Sequence, residues 1–388
     1  MTTTSTTQQR RLPPWIASIV TFLGLLVLAF RPDSSSIHRN LQQESPPNSA
    51  AAASSDAILR GPPLWSLSLN NSATYSPPPS IKELKEMYSS LDLQSDQLHA
   101  RWTVVERPFF VSVHNENYDP VRWSIMNFGY YYEVLLTNCF YEVLLNVPEN
   151  PRVLDVGGNI GWFTLVARSA GATVDVFEPN PANLQRLQES LSLNGWGYSL
   201  GSANATTDAK VHIHHAGVYQ EDSFLPWKNN AENPGQTTIK LRGDSKEFDG
   251  LPRIPVYALD SFARKQGWFD TPISISILKV DVEGLEPRVF AGATQLLESR
   301  MIDNILMEIT VRRHVHKRKN EPMLQLLHDS GYVLYKHGEY RGPNLLSNFS
   351  RGNSAELLEY CMNLKQMNLW WKKDTDSVLH PNQLQRSA

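Results

Sequence analysis

Cysteine is scarce. The 388 residues hold two, Cys139 and Cys361. Two thiols cannot make a disulfide framework, and one bridge, in an oxidising compartment, is the most they allow. An excess of one charge is missing as well. The 36 basic and 39 acidic residues leave a net charge of -3, so the chain is no bulk polycation, and no nucleic-acid partner is expected. No internal repeat is evident. The length and the 41% hydrophobic content suffice for one large catalytic domain with appendages, or for two small domains.

The organising stretch runs from Pro151 to Gly161. Val153 to Val156 is a short apolar run rich in β-branched residues, with Pro151 behind it and glycines ahead. That pattern predicts a buried parallel strand ending in a tight turn. Ile160 to Ser169 has helical spacing, and Thr173 to Phe177 reads as a second strand ending at Glu178-Pro179-Asn180-Pro181. A strand, a glycine turn and a helix start set backbone N–H groups around a ligand. Glu178 stands about 20 residues past the first glycine, where a carboxylate reaches a ribose diol. A dinucleotide fingerprint needs G-x-G-x-x-G. Here the run is Asp155-x-Gly157-Gly158-Asn159-x-Gly161, with Asn159 where a glycine would let backbone close on phosphate. Asp155 facing the amino-acid part of S-adenosylmethionine, with Glu178 on its ribose, fits better. The bland alternative is an ordinary strand turn with no ligand.

Around this stretch the chain divides into five parts. Residues 1–14 are polar, with Arg10 and Arg11 ahead of Pro13-Pro14, and Trp15 to Phe30 is an unbroken run of apolar and small residues. A thin early-secretory membrane accepts a span of that length, and the preceding basic residues favour a cytosolic N-terminus. A signal-anchor is preferred to a cleaved signal peptide, because Phe30-Arg31-Pro32 follows Ala29 with no small-x-small site. Residues 31–98 read as a flexible stalk, rich in Ser, Pro, Ala and Asn to about Ser80, with a mixed helical lead-in at Ile81 to Leu98. Residues 99–345 have the composition of a folded domain and 346–388 read as a C-terminal extension, with Leu357 to Met367 helical and Trp370-Trp371 docking it. Sequons at Asn70, Asn204 and Asn348 lend weak support to a lumenal domain.

Within the domain, Phe109 to His114 and Val121 to Met126 read as short strands, and Tyr131 to Leu145 as an apolar helix. The aromatic residues Trp123, Phe128, Tyr130, Tyr131 and Tyr132 are either plain core or one wall of a cleft. Pro181 to Leu193 is a helix with Pro in its first turn. Lys210 to His215 is a strand, whose His212 and His214 are expected to face solvent rather than a metal, since no third ligand is evident. Residues 218–252 read as an inserted hairpin, loop or lid. Val256 to Leu259 is a strand, with Asp260 capping the helix after it. Further strands are expected at Ser274 to Val280, Asn304 to Ile309 and Gly331 to Tyr335, with a helix at Met323 to Ser330.

Strands alternating with helices argue for a doubly wound α/β sheet, in which ligands sit at the carboxyl ends of the strands. That gathers Asp155, Glu178, Asp281, Glu283 and Glu308 at one rim. Lys279, Asp281 and Glu283 alternate at a strand end and so are expected to share a side, the cation holding both carboxylates charged. The basic run from Arg312 to Lys319 is read as a solvated loop, with recruitment of an acidic acceptor as the alternative.

With these motifs the chain resembles the FkbM family of S-adenosylmethionine-dependent methyltransferases. The resemblance rests on Val153-Leu154-Asp155-Val156-Gly157-Gly158-Asn159-Ile160-Gly161 and on Phe177-Glu178-Pro179-Asn180-Pro181 with Asn183 and Asn194. It rests further on Leu259-Asp260 and, above all, on Lys279-Val280-Asp281-Val282-Glu283-Gly284-Leu285-Glu286 followed by Gly292. It covers roughly residues 150 to 336. Gly158 stands where relatives often carry alanine.

The resemblance implies a Rossmann-like seven-stranded sheet with helices on both faces and methyl transfer, typically to oxygen. Asp155, Gly157, Gly158, Asn159 and Gly161 would then line the methionine side of the cofactor, and Glu178 and Asn180 the ribose side. Asp281 and Glu283 would flank the sulfonium and the acceptor. A hydroxyl acceptor needs a base or a metal to lower its pKa. Asp281 is assigned as base or as ligand of a divalent metal, with Glu283 supporting it and Lys279 orienting the pair. The expected protein is a single-pass membrane O-methyltransferase of the Golgi or ER lumen acting on glycans. Alternatives are a secreted form, an enzyme for a lipid or small metabolite, and a non-catalytic binding module at the membrane.

Overall fold

The structure, a computed structural model, describes residues 99–115, 120–131, 133–147, 149–201, 209–228, 238–239, 250–310, 314–336, 344–345 and 366–374. All of the described residues belong to one compact unit. The apolar run at 15–30, the stalk, the three sequons and Cys361 lie outside the described residues. Among those described, no helix is long and apolar enough to cross a membrane.

The described chain opens with β1 (His99–Trp102) and β2 (Phe110–Val113), paired antiparallel, then α1 (Pro120–Phe128) and α2 (Val134–Leu144). Strand and helix then alternate through β3 (Arg152–Val156), α3 (Trp162–Ser169), β4 (Thr173–Phe177), α4 (Pro181–Leu193), β5 (Tyr198–Leu200) and β6 (Val211–His214). The inserted region supplies β7 (Gly217–Val218), β8 (Ser223–Lys228), β9 (Thr238–Ile239) and β10 (Arg253–Tyr257), a separate sheet of order β7-β10-β8-β9. The chain continues with α5 (Leu259–Lys265), β11 (Ile277–Val280), α6 (Glu286–Ala291), α7 (Thr294–Glu298), β12 (Asn304–Thr310) and α8 (His314–Asp329). It closes with β13 (Tyr332–Lys336), β14 (Asn344–Leu345) and β15 (Gln366–Lys373).

The main sheet has nine strands in the order β14-β13-β15-β12-β11-β3-β4-β6-β5. Neighbours from β12 to β5 pair parallel, and β15 lies antiparallel between β12 and β13. The sheet has nine described strands rather than the expected seven: the strand expected at Val256 to Leu259 falls in β10 of the separate sheet, and β15 enters the main sheet from the stretch read as an extension. Chain order reverses between β3 and β11, and crevices at such reversals are where open α/β sheets bind ligands.

Alternating side chains divide each strand between two cores. In β3, Val153 packs with α2, α3 and α4, whereas Leu154 and Val156 pack with α5 to α8. The same alternation explains β15. Trp370 enters the first core and Trp371 the second, both at 0% exposure. A strand buried on both faces reads as a continuous apolar run rather than an alternating one. The tryptophans therefore belong to the sheet, as do Gln366 and Met367; the rest of the helix expected at Leu357 to Met367 lies outside the described residues.

Several expectations are corrected. Val121 to Met126 is helical, not a strand: Pro120 takes the first position of α1, where its missing N–H costs nothing, and Val121, Ser124 and Ile125 are buried at helical spacing. Asp260 does not cap its own helix, whose N-cap is Ala258. Its carboxylate instead accepts the N–H groups of Gln295 (2.8 Å) and Leu296 (2.9 Å), satisfying the first turn of α7. α8 begins at His314, with Pro322 inside it, so His314 to Lys319 is helix rather than loop. His214 is buried, not solvent-facing. Its Nε2 lies 3.1 Å from Asp175 Oδ1, while half-buried His212 bonds Ser199 Oγ at 2.8 Å. Among the described residues no group of three His, Cys, Asp or Glu is placed to hold a metal ion.

Candidate active site

Strand β3 ends at Val156 and the chain bends sharply through Gly157, whose φ is 80°. A Cβ there would lie 1.9 Å from the Asp281 carbonyl oxygen. The two sides of the chain reversal thus touch through backbone, and Asp281 N–H donates to Val156 O at 3.1 Å. A Cβ on Gly158 would meet Val176 Cγ2 at 2.3 Å, and one on Gly161 would meet Leu187 Cδ1 at 2.4 Å. The glycines let the loop lie flat against β4 and α4.

The N–H groups of this loop are already used. Those of Gly157 and Gly158 both donate to Phe177 O, at 3.0 and 3.1 Å, and that of Gly161 to Gly158 O at 2.8 Å. The Asn159 N–H donates to Glu178 Oε2 and the Ile160 N–H to Asn159 Oδ1, each at 2.8 Å. Asn159 itself adopts a left-handed φ of 49°. The loop is therefore no cradle for a pyrophosphate, which would need those donors.

Glu178 is buried at the tip of β4. Its Oε1 accepts the Asn180 N–H at 2.8 Å and the Asn183 side-chain amide at 3.2 Å. With Asn159 on Oε2 that makes three hydrogen bonds to this carboxyl group among the described residues. Burial pushes its pKa up, and the Asn180, Asn159 and Asn183 hydrogen bonds oppose this. Asn180 also caps α4, its side chain accepting the Ala182 N–H at 3.0 Å.

Asp155 and Lys279 lie side by side on β3 and β11, paired in register. Asp155 is fully buried: Oδ2 accepts the Thr164 hydroxyl at 2.6 Å, and Oδ1 stands 3.4 Å from Lys279 Nζ. Lys279 Nζ also donates to the Gly157 carbonyl at 2.7 Å and lies 3.9 Å from Asp281 Oδ2. Burial lowers the pKa of this amine, but Asp155, Asp281 and Glu133 raise it by more, so the net direction is upward and the group is charged. Asp155 thus faces inward to hold Lys279, while Asp281, half-buried, marks the rim.

The alternation that would put Glu283 beside Asp281 does not extend that far. β11 ends at Val280, and Glu283 sits exposed in the following turn with φ 56°. Glu286 pins this turn, its Oε1 accepting the N–H groups of Val282 and Gly284, both at 3.1 Å. Burial pushes the Glu286 pKa up to about 7.

Two site residues escape sequence reading, Glu133 and Asn368. Glu133 precedes α2, and its Oε1 accepts the Asn368 amide from β15 at 2.7 Å. Burial first, then the Asp281 charge, push its pKa up to about 7. Neither belongs to a recognisable motif; only the fold brings them to Lys279 and Asp281.

A sheet that reverses between β3 and β11, a glycine loop closed to phosphate and an acid at the tip of β4 describe an S-adenosylmethionine-dependent methyltransferase. Residues 155–334 match the methyltransferase FkbM domain. Methyltransferase 1 of Beauveria bassiana (strain ARSEF 2860) is 25% identical over 194 residues, covering 46% of this chain and 71% of the relative. Methyltransferase sdnD of Sordaria araneosa is 26% identical over 201 residues, covering 46% of this chain and 73% of the relative. Among solved structures, the SAM-dependent methyltransferase from Agrobacterium tumefaciens aligns with a TM-score of 0.34 at 10% identity, over 72% of this chain and 70% of that one.

Proposed function

We propose that the domain transfers the methyl group to a hydroxyl oxygen, with a glycan as the acceptor. When bound, S-adenosylmethionine supplies an electrophilic methyl on a sulfonium. Glu178 and Asn180 would hold its ribose side, and the loop from Gly157 to Gly161 its methionine side. The observation that carries the reading is the position of Asp281. It stands half-buried at the rim of the crevice, 3.9 Å from Lys279 Nζ, on the turn after β11 where an acceptor hydroxyl would meet the methyl group. Most of the remaining work is alignment of acceptor and methyl carbon, which supplies about 7–11 kcal/mol. Glu283, exposed on the next turn, is proposed as an outer contact for the acceptor.

The run from Trp15 to Phe30 behind Arg10 and Arg11 supports a type II membrane anchor, and with it a lumenal catalytic domain in the Golgi or ER. The test is methyl transfer from labelled S-adenosylmethionine to released glycans, beside a lipid extract, with full-length protein. Alkali-stable label in the glycan fraction is expected. Label confined to lipid, or absent from both fractions, would contradict the proposed acceptor. Protease protection of the domain in sealed microsomes tests the orientation; digestion there would refute it.

A further inference from the structure

Glu133 and Asn368 both lie outside residues 155–334, the part matched by the family. This chain nevertheless brings them to the crevice from opposite ends of the domain. Asn368 sits on β15 opposite Glu308 of β12, and its amide fixes Glu133 Oε1 at 2.7 Å. The other oxygen, Oε2, is sealed from solvent and accepts no hydrogen bond among the described residues. The charged groups acting on this carboxylate are Asp281 from the turn after β11, Lys279 from β11 and Glu308 from β12. One oxygen is held by Asn368 and the other is buried with its acceptor capacity unused, in the field of Lys279 and Asp281, so it can take up a proton.

From this geometry we infer that Glu133, oriented by Asn368, is the base that takes the proton from the acceptor hydroxyl. The inference rests on the O-methyl transfer proposed above. The acceptor oxygen forms its bond to the methyl carbon, the carbon–sulfur bond breaks with its electron pair going to sulfur, and the hydroxyl proton passes to Glu133 Oε2. Asp281 then serves as the anionic neighbour that keeps Glu133 basic, and Asn368 as a positioning residue. Burial and the Asp281 charge set Glu133 near neutrality, with a pKa of about 7, where a base both is available and binds a proton.

The consequence is measurable without knowing the acceptor. A cation arriving near Glu133 lowers its proton affinity. S-adenosylmethionine carries a sulfonium and S-adenosylhomocysteine does not. Isothermal titration of the full chain with each, in buffers of different ionisation enthalpy, counts the protons released. At pH 7 the sulfonium ligand should release about 0.4 proton more than the neutral one, for a drop of about one unit from half-titration. Glu133→Gln should abolish that difference, weaken the sulfonium ligand about fivefold and leave the affinity for the neutral one within about threefold. Asn368→Ala, which removes a donor that stabilises the anion, should move the pH of half-release upward, and it covers the case in which Glu133→Gln does not fold. An equal proton count for both ligands, or an unchanged difference in Glu133→Gln, overturns the inference while leaving the methyltransferase intact. No binding of S-adenosylmethionine by the wild type overturns the proposed reaction as well.

Discussion

Lys279 Nζ donates to the carbonyl oxygen of Gly157 at 2.7 Å, across the line where the sheet reverses its order. One buried ammonium therefore ties the glycine loop to the strand that carries Asp281. Its charge is held against burial mainly by Asp155. Removing one partner of a buried ion pair leaves the other charge uncompensated and costs about 3–5 kcal/mol. Lys279→Met should show that loss in chemical denaturation, and adding Asp155→Asn should recover part of it. A single variant within about 1 kcal/mol of wild type would mean the pair contributes little.

Gly157 admits no side chain. Its φ is 80°, and a Cβ would lie 1.9 Å from the Asp281 carbonyl oxygen. Gly157→Ala must move one wall of the crevice. It should cost about 3 kcal/mol or more in stability and weaken S-adenosylmethionine binding at least tenfold, read by denaturation and calorimetry on the same preparation.

Glu286 links pH to stability. Burial raises its pKa from the ordinary 4.5 to about 7, so the folded state prefers the protonated acid. Its contribution is complete below about pH 4 and is lost as pH rises towards 7. Over about 2.5 units that is about 3 kcal/mol. Glu286→Gln keeps an acceptor oxygen for Val282 and Gly284 but has no charge to desolvate. Relative to wild type, the variant should gain stability between about pH 4.5 and pH 7 and hold that gain above it, measured as the midpoint of urea unfolding. A constant difference between the two would contradict this assignment.

The strands around the loop were legible because they carry local signals. Thr173–Phe177 and Pro181–Leu193 fall at their expected bounds: one is a β-branched run, the other starts at a proline behind a capping asparagine. Val121 to Met126 misled, because six residues with apolar Val121, Trp123, Ile125 and Met126 fit both periods until burial decides. The distance between the Glu133 and Asn368 positions hid the remainder of the site. Two polar residues 235 positions apart meet only when β15 inserts between β12 and β13, and no local pattern encodes that insertion.

β15 makes its own prediction. Trp371 is fully buried against the α5 to α8 side of the sheet. Trp371→Ala should cost about 3–5 kcal/mol, and by loosening β15 it should also release Asn368 from Glu133. Tryptophan fluorescence during denaturation reads the first effect. A loss below about 1 kcal/mol would place Trp371 outside the core.

The central claim is that the crevice between β3 and β11 binds S-adenosylmethionine through Glu178. Calorimetric titration of wild type and Glu178→Ala with this cofactor, and of wild type with a nicotinamide dinucleotide, tests it most directly. The account predicts binding by the wild type, a loss of about 10- to 100-fold in the variant from removed charge-assisted hydrogen bonds, and no heat with the dinucleotide. Equal affinity in wild type and variant, or binding of the dinucleotide instead, would contradict it.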